Sequence, residues 1–265
     1  MERIESNGVA LTGVFPNAQG SSVAFGFTER TGGVSVAPYT SLNLGTHVGD
    51  DPSAVEENRR RVLAALGCEA DMAALLVPNQ VHGDHVVLVT HGDEDELCSV
   101  RAEIAEGADA IVCVAPHVPV MLCYADCVPV VLTAPGGFAV VHSGWKGTFA
   151  RISAKATRVL AEVAQCPLSA ISAYIGPHIQ GDEYEVSEEL IQRFDAAFGW
   201  HEAGKTRLLD LTRAIRQALE EVGLEPDRIE DTGLSTVKEN DRFYSYRVEQ
   251  GTCGRHGAVA VLMGE

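Results

Sequence analysis

The sequence predicts an α/β protein in which helices cover one mixed β-sheet or a pair of sheets. Four segments carry apolar residues at helical spacing, and nine short β-rich runs lie between and beside them. Several of those runs follow one another between residues 110 and 142 with no room for a helix. The regular βαβ alternation of a Rossmann domain or a TIM barrel therefore fails. Sheets covered by helices fit best, within one domain that spans residues 1–265.

The helices are recognised by their capping residues. Asp51 is a predicted N-cap, Pro52 follows at the first helical position, and Gly67 closes that helix. Ser187 caps a later helix whose first turn is acidic, as the helix dipole favours. The four predicted helices run over 51–67, from Thr148 onward, over 187–198 and over 210–223. The acidic run at 92–96 is interpreted as a solvated loop.

The strands are predicted from the β-rich runs. These runs cover 23–27, 85–89, 110–114, 120–124, 128–133, 138–142, 171–175, 243–246 and 258–263. Together with the helices, they leave no linker long enough to separate two domains.

The charge balance limits the partners of this chain. It has 20 basic and 37 acidic residues, a formal net charge of −17, so it should repel nucleic acid and anionic membranes. An anionic substrate must then be bound by a local basic pocket. No unbroken run of about 20 apolar residues predicts a membrane span, and the N-terminus lacks the features of a signal peptide. With seven scattered cysteines, these features predict a cytoplasmic protein with free thiols and no obligate protein partner.

Three residues at predicted strand ends form a candidate metal set: His82, Cys127 and His142. Two imidazoles and one thiolate suit Zn²⁺, and three protein ligands leave a fourth position open for water or substrate. The residues alone leave two other interpretations open. Cys127 is either a buried core thiol or a nucleophile with one histidine as its base. Its neighbour Asp126 is a candidate strand-end hydrogen-bonding residue, support for a metal ligand, or proton acceptor.

The turn at 143–148 is a candidate anion site. Gly144 and Gly147 allow a tight turn, the predicted helix offers unpaired N–H groups, and Lys146 adds a positive charge. An ordinary β-to-α loop with a solvent-facing lysine explains the same residues equally well. Trp145 either lines the site or plugs the end of the sheet. The remaining isolated histidines are predicted to lie on the surface; they are His47, His91, His117, His201 and His256.

A dozen short blocks, in order along nearly the whole chain, resemble the YfiH family. They include TERTGGV at 28–34, SLNLG at 41–45, VGDD at 48–51, ENRR at 57–60, QVHG at 80–83, ADA at 108–110, ADCVP at 125–129, HSGWKGT at 142–148, IGP at 175–177, FYSYR at 243–247 and GR at 254–255. The resemblance implies a layered α-β-β-α sandwich with mixed sheets, shared with the catalytic domain of cytotoxic necrotizing factor. It also implies that His82, Cys127 and His142 bind a metal, which favours the ligand interpretation of Cys127.

The family includes proteins described as multicopper polyphenol oxidases, purine nucleoside phosphorylases and peptidoglycan editing factors. The resemblance therefore implies phosphorolysis of adenosine, inosine and methylthioadenosine, with adenosine deamination. Asn43, Arg59 and Arg247 match polar motif positions and are expected to contact nucleoside or phosphate. Phosphate is expected near Lys146 and the glycine turn, and Asp126 is the expected general acid.

Two departures from the family pattern bear on the metal and the phosphate. Residue 146 is lysine, whereas arginine is common at this position in the family. A bidentate hydrogen-bonded contact with phosphate is therefore replaced by the attraction of a single ammonium charge. The stretch after 175–177 reads HIQGDE where cysteines are usual. One zinc therefore suits the three ligands better than a copper cluster, with copper possible. The alternatives are a copper-dependent polyphenol oxidase, a cysteine or metal amidohydrolase that edits peptidoglycan precursors, and a metal-carrying binding protein without turnover.

Overall fold

Two β-sheets stack face to face in the computed structural model, which describes residues 1–15 and 22–264. The first sheet has the strand order β1-β2-β3-β11-β6 and the second β10-β9-β7-β8-β5-β4. The strands are β1 (Glu2–Ser6), β2 (Val9–Val14), β3 (Val23–Thr28), β4 (Val86–Val89), β5 (Ala110–Cys113), β6 (Val120–Tyr124), β7 (Val128–Ala134), β8 (Gly137–Ser143), β9 (Ser172–Ile175), β10 (Ile229–Asp231) and β11 (His256–Leu262).

The helices cover the outer faces of both sheets, except that Glu94–Glu106 packs its buried side chains into the core between the sheets. They are α1 (Pro52–Leu66), α2 (Glu94–Glu106), α3 (Trp145–Phe149), α4 (Ile152–Val163), α5 (Glu188–Phe198) and α6 (Leu211–Val222). Leu63 of α1 packs on the first sheet, and Leu160 of α4 and Ile215 of α6 pack on the second. A third core, which contains Phe25 and Val140, fills the space between the sheets. The layers are therefore α-β-β-α, as the family resemblance implies.

Strand direction differs between the two sheets. All strand pairs of the first sheet are antiparallel, and isolated parallel bridges join Leu76 to Val120 and Pro116 to Leu262. The second sheet is mixed, because β4 and β5 are parallel, as are β9 and β10, while its other pairs are antiparallel. The chain passes from one sheet to the other in the turn between β6 and β7.

Three of the four predicted helices are confirmed with their caps. The side chains of Asp51, Ser187 and Asp210 accept backbone N–H groups at the starts of α1, α5 and α6. For the fourth helix, the predicted start at Thr148 is wrong. Thr148 lies inside the short α3, and Arg151, at φ 60°, interrupts the helix before α4 begins.

The acidic run at 92–96 is not a loop, as the sequence suggested. Asp93 is the N-cap of α2 and accepts the N–H of Glu96, and the acidic residues after it occupy the first helical turn. Negative side chains are stabilised there by the helix dipole. A charge run can therefore begin a helix, and here the capping residue within it was the missed signal.

Eight of the nine predicted strands are confirmed within two residues at either end. The run at 243–246 is not a strand, because the N–H of Phe243 donates within a turn to the carbonyl of Glu239, 2.9 Å away. Phe243 and Tyr244 are buried instead, whereas Tyr246 is exposed. The prediction also missed β10 and the hairpin of β1 and β2. Asn7 and Gly8 turn that hairpin with φ of 53° and 81°, the Asn-Gly signal of a type I′ turn.

Four of the five histidines predicted to be surface residues are exposed. The prediction is wrong for His256, which is fully buried at the start of β11 against the rings of Tyr124 and Phe243. Burial lowers the pKa of His256 to about 3, so the ring is neutral. All seven cysteines are free thiols. None of the helices within 1–15 and 22–264 combines the length and apolar character that a bilayer crossing requires.

Candidate metal centre and its cavity

The fold brings His82, Cys127 and His142 together from three separate segments. His82 lies in the loop before β4 with φ 58°, Cys127 follows the turn between the sheets, and His142 is on β8. Their nitrogen and sulfur ligand atoms all lie within 4.8 Å of one another. Among the residues that the structure describes, this is the one group of three or more such side chains close enough to share an ion.

A buried carboxylate, Asp109, organises this group. Its Oδ1 accepts from Nδ1 of His142 at 2.7 Å and from the backbone N–H of His82 at 3.0 Å. Its Oδ2 accepts from the N–H groups of Val81 and Gly83. Asp109 therefore orients the His142 ring, with Nε2 left to face Cys127, and fixes the loop that carries His82. The sequence analysis did not select Asp109 as a site residue; a lone carboxylate directly before a buried strand was the available signal.

The charges of the site favour a thiolate at Cys127. Burial acts to raise the pKa of this thiol, but the charge of His142 and hydrogen bonds from His142 and His82 lower it to about 6. Burial likewise acts to lower the pKa of His142, while Cys127 and Asp109 raise it to about 9. The thiolate is the form of cysteine that binds a metal or attacks a substrate.

The backbone beside the group leaves room for an ion. A Cβ on Gly144, the residue after β8, would lie 3.1 Å from Cδ2 of His82 and 3.3 Å from Sγ of Cys127. A larger residue would therefore displace the ligands. Zn–N distances of about 2.1 Å and Zn–S distances of about 2.3 Å place tetrahedral donors roughly 3.5 Å apart, so only a small contraction is needed. The two histidines, the thiolate and the carboxylate that orients His142 fit a metal with one open position.

The group opens into a cavity of about 930 Å³ with two chemically distinct walls. An aromatic and aliphatic wall contains Trp145, Tyr184 and Leu211, and a basic wall contains His47, Arg59 and Arg255. Tyr184 interacts electrostatically with Cys127, and His47 with His82. The metal group thus lies near residues of both walls. Tyr184 and Arg255 were not predicted as site residues, and His47 was predicted to be an ordinary surface histidine.

The structure places the other candidate site residues differently from one another. Arg59, Arg247 and Asp126 line the cavity. Asn43 is fully buried and does not line it, since its amide is bonded to Gly45, to Asp50 and to the N–H of Arg255. Lys146 is exposed on α3 outside the lining, with its Nζ 5.7 Å from the ring centroid of the neighbouring Trp145.

Asp126 sits in the turn that delivers Cys127. Its φ is 88°, and both carboxylate oxygens accept hydrogen bonds: Oδ1 from the Thr236 hydroxyl and Oδ2 from the backbone N–H of Arg247, each at 2.7 Å. The carboxylate therefore ties the segment that carries Arg247 to the metal group.

Known proteins resemble this chain over nearly its whole length. The family model for multi-copper polyphenol oxidoreductase laccase matches residues 24–263. The chain is 39% identical over 247 residues to a purine nucleoside phosphorylase of Deinococcus radiodurans, covering 91% of this chain and 90% of that protein. It is 32% identical over 247 residues to the purine nucleoside phosphorylase YlmD of Bacillus subtilis, covering 90% and 88%. The crystal structure of YlmD from Geobacillus stearothermophilus superposes with a TM-score of 0.84, at 28% identity and with 98% of each chain covered.

Proposed function

Because the chain belongs to the YfiH family of laccase-like proteins, in which relatives are named purine nucleoside phosphorylases, we propose that it is a metal-dependent purine nucleoside phosphorylase. The substrates are adenosine, inosine and methylthioadenosine, and adenosine deamination is a second activity of the same centre. One observation carries the proposal: a single cavity joins a three-ligand metal group, an aromatic wall and a basic wall. Its volume suits a nucleoside.

Each wall of the cavity suits a different part of the substrate. The rings of Tyr184 and Trp145 offer faces on which a purine stacks. Arg59 and Arg247 contact ribose or phosphate, and Asn43 supports the basic wall from behind by holding the backbone of Arg255. Because both oxygens of Asp126 already accept hydrogen bonds, its role in the reaction is to position Arg247 rather than to protonate the purine.

His82, Cys127 and His142 are the residues that hold the metal, with Asp109 fixing the orientation of His142. When bound, the ion supplies Lewis-acid chemistry at the cavity floor. We propose zinc, with copper as the alternative. Blue-copper sites with His₂Cys ligands add a weak axial ligand, commonly methionine, whereas Met1, Met72, Met121 and Met263 all pack in hydrophobic cores here.

The test is to incubate the purified protein with adenosine, with and without phosphate, and to separate the products. We expect adenine and ribose 1-phosphate only with phosphate, and inosine without it. Cys127→Ala should lower kcat/KM by at least about 100-fold, because even supporting residues of metal sites contribute about 10–100-fold. Cys98→Ala is the matched control, since Cys98 is exposed on α2. No product from any of the three nucleosides, with zinc bound, would refute the proposal.

One geometric observation favours a second candidate, a cysteine amidohydrolase. Cys127, His142 and Asp109 line up as nucleophile, base and orienting carboxylate. This candidate requires inactivation by iodoacetamide and full activity after chelation. The family description favours a third, a copper-dependent polyphenol oxidase, which requires O₂ uptake with phenols and bound copper.

The proposal places the enzyme in the cytoplasm, in keeping with its free thiols, and treats residues 1–265 as one domain. Its ligands are a purine nucleoside and phosphate, with no nucleic acid, membrane or obligate protein partner.

A further inference from the structure

The basic wall is built around one short piece of backbone. Nε and Nη2 of Arg59 both donate to the carbonyl of Leu44, at 3.0 and 2.8 Å. The N–H of Leu44 donates to the carbonyl of Arg255 at 3.0 Å. A Cβ on Gly45 would lie 2.9 Å from Cγ of Arg255 and 3.3 Å from Cε1 of His47. The fold thus holds three basic side chains, those of His47, Arg59 and Arg255, against one peptide; we call them the basic cluster.

The two arginines of the basic cluster lack the acidic partners that several other arginines have. Arg3 and Arg242 pair with Glu29, and Arg30 pairs with Glu249. Within the part of the chain that the structure describes, neither Arg59 nor Arg255 has a carboxylate within 4.0 Å.

Arg255 keeps donors available. Its Nη1 donates to the carbonyls of Cys253 and Gly254, and none of the described residues accepts from its Nε or Nη2. Asp126 is the one carboxylate among the described residues that line the cavity, and its oxygens are already bonded. The cavity therefore has a local excess of positive charge that no described carboxylate neutralises.

The positive charges of the two arginines affect His47, the third member of the basic cluster. Desolvation lowers the pKa of His47, and the positive charges of Arg255, Arg59 and His82 lower it further. Arg255, with free donors, and the guanidinium of Arg59 both line the cavity, an arrangement that suits the binding of phosphate oxygens. Such a site works against the repulsion that a net charge of −17 exerts on an anion.

We propose that the basic cluster of His47, Arg59 and Arg255 binds the phosphate co-substrate, an assignment that rests on the phosphorylase function proposed above. The phosphate was expected at the turn that carries Lys146. The basic cluster is the better site, because Lys146 is exposed and lies outside the cavity lining. Phosphate then reaches the ribose from the His82 side, and the purine lies on the Tyr184 side. A phosphate oxygen bonds to C1′ as the bond from C1′ to the purine nitrogen breaks. The purine leaves with that electron pair and gains the proton that monohydrogen phosphate loses.

The test measures the KM for phosphate and the KM for nucleoside separately in Arg255→Gln and Arg59→Gln. The KM for phosphate should rise by about 10–100-fold, the worth of a charged hydrogen bond, while the KM for nucleoside changes little. Arg158→Gln is the charge-matched control, because Arg158 is exposed on α4. Gly45→Ala tests the same site with its charges intact, since the added Cβ displaces Arg255. Gly45 has φ −93°, which alanine adopts without strain.

Calorimetry with inorganic phosphate gives a readout that does not depend on turnover. The site is supported if the natural protein binds phosphate and folded, zinc-loaded Arg255→Gln does not. If the same result is found but no nucleoside reacts, the phosphate site stands and only the proposed function is refuted. Unchanged phosphate binding and an unchanged KM for phosphate in both arginine variants overturn the site, even where phosphorolysis persists. A rise in the KM for phosphate in Lys146→Gln and not in the arginine variants also overturns it.

Discussion

Replacement of Asp109 by asparagine tests whether this buried carboxylate builds the metal centre. Asparagine keeps the shape of aspartate but turns one acceptor oxygen into an NH₂ donor. The four hydrogen bonds to Asp109 come in two pairs, one pair on each oxygen. Either orientation of the new amide therefore loses two acceptor contacts. One orientation loses the N–H groups of Val81 and Gly83, and the other loses His142 and the N–H of His82.

The size of the effect follows from those contacts. An unpaired donor that is only partly buried costs about 1 kcal/mol, so the two together cost about 2 kcal/mol. For a protein of 265 residues this lowers Tm by roughly 4–8 °C. Zinc affinity should fall by about 10–100-fold, because His142 loses its anionic partner.

The assay is zinc competition against a chromogenic chelator, together with thermal unfolding followed by circular dichroism. Asp241→Asn is the control, since Asp241 is exposed in a turn. If Asp109→Asn binds zinc as tightly as the natural protein, Asp109 does not orient His142 and the reasoning is refuted.

Three further predictions concern protonation and folding. In chelated Cys98→Ala protein, alkylation of Cys127 by iodoacetamide should have its midpoint near pH 6, since the charge of His142 outweighs burial and lowers the thiol pKa to about 6; a midpoint above pH 8 contradicts this. Glu96→Gln should lower Tm at pH 7, because this carboxylate accepts four hydrogen bonds around the start of α2 that lower its pKa to about 2 against the effect of burial. The stabilisation is present above pH 4.5 and lost as pH falls towards 2, so the Tm difference should shrink over that range; a constant difference contradicts the assignment. Finally, β11 pairs with both β3 and β6, so urea unfolding should show one transition by fluorescence and by circular dichroism, and two separated transitions would contradict a single domain.

The metal group was predictable because each ligand is a reactive residue beside an apolar run that predicts a strand. The strands around it were predictable for the same reason, since apolar runs bounded by turns report burial directly. Family resemblance then selected the ligand interpretation of Cys127, which the residues alone left open.

The basic wall could not be read from the sequence in the same way. Arg255 reaches the cavity because β11 crosses between β3 and β6, and this pairing joins residues more than 100 positions apart. Lys146 had the better local pattern, with glycines on both sides, but the short α3 carries it to the surface. Local pattern shows which residues can bind an anion, whereas only the topology decides which of them face the cavity.

The turn between β6 and β7, where the chain leaves one sheet for the other, carries Cys127. His142 is anchored in the second sheet, whereas the position of Cys127 depends on both. The distance between these two ligands therefore changes when the spacing between the sheets changes. Substitutions deep in the core between them, at Leu122 or Val131, would change that spacing without touching the site. Packing residues far from any substrate thus become a means of tuning metal affinity, and evolution or design can adjust the centre through the core.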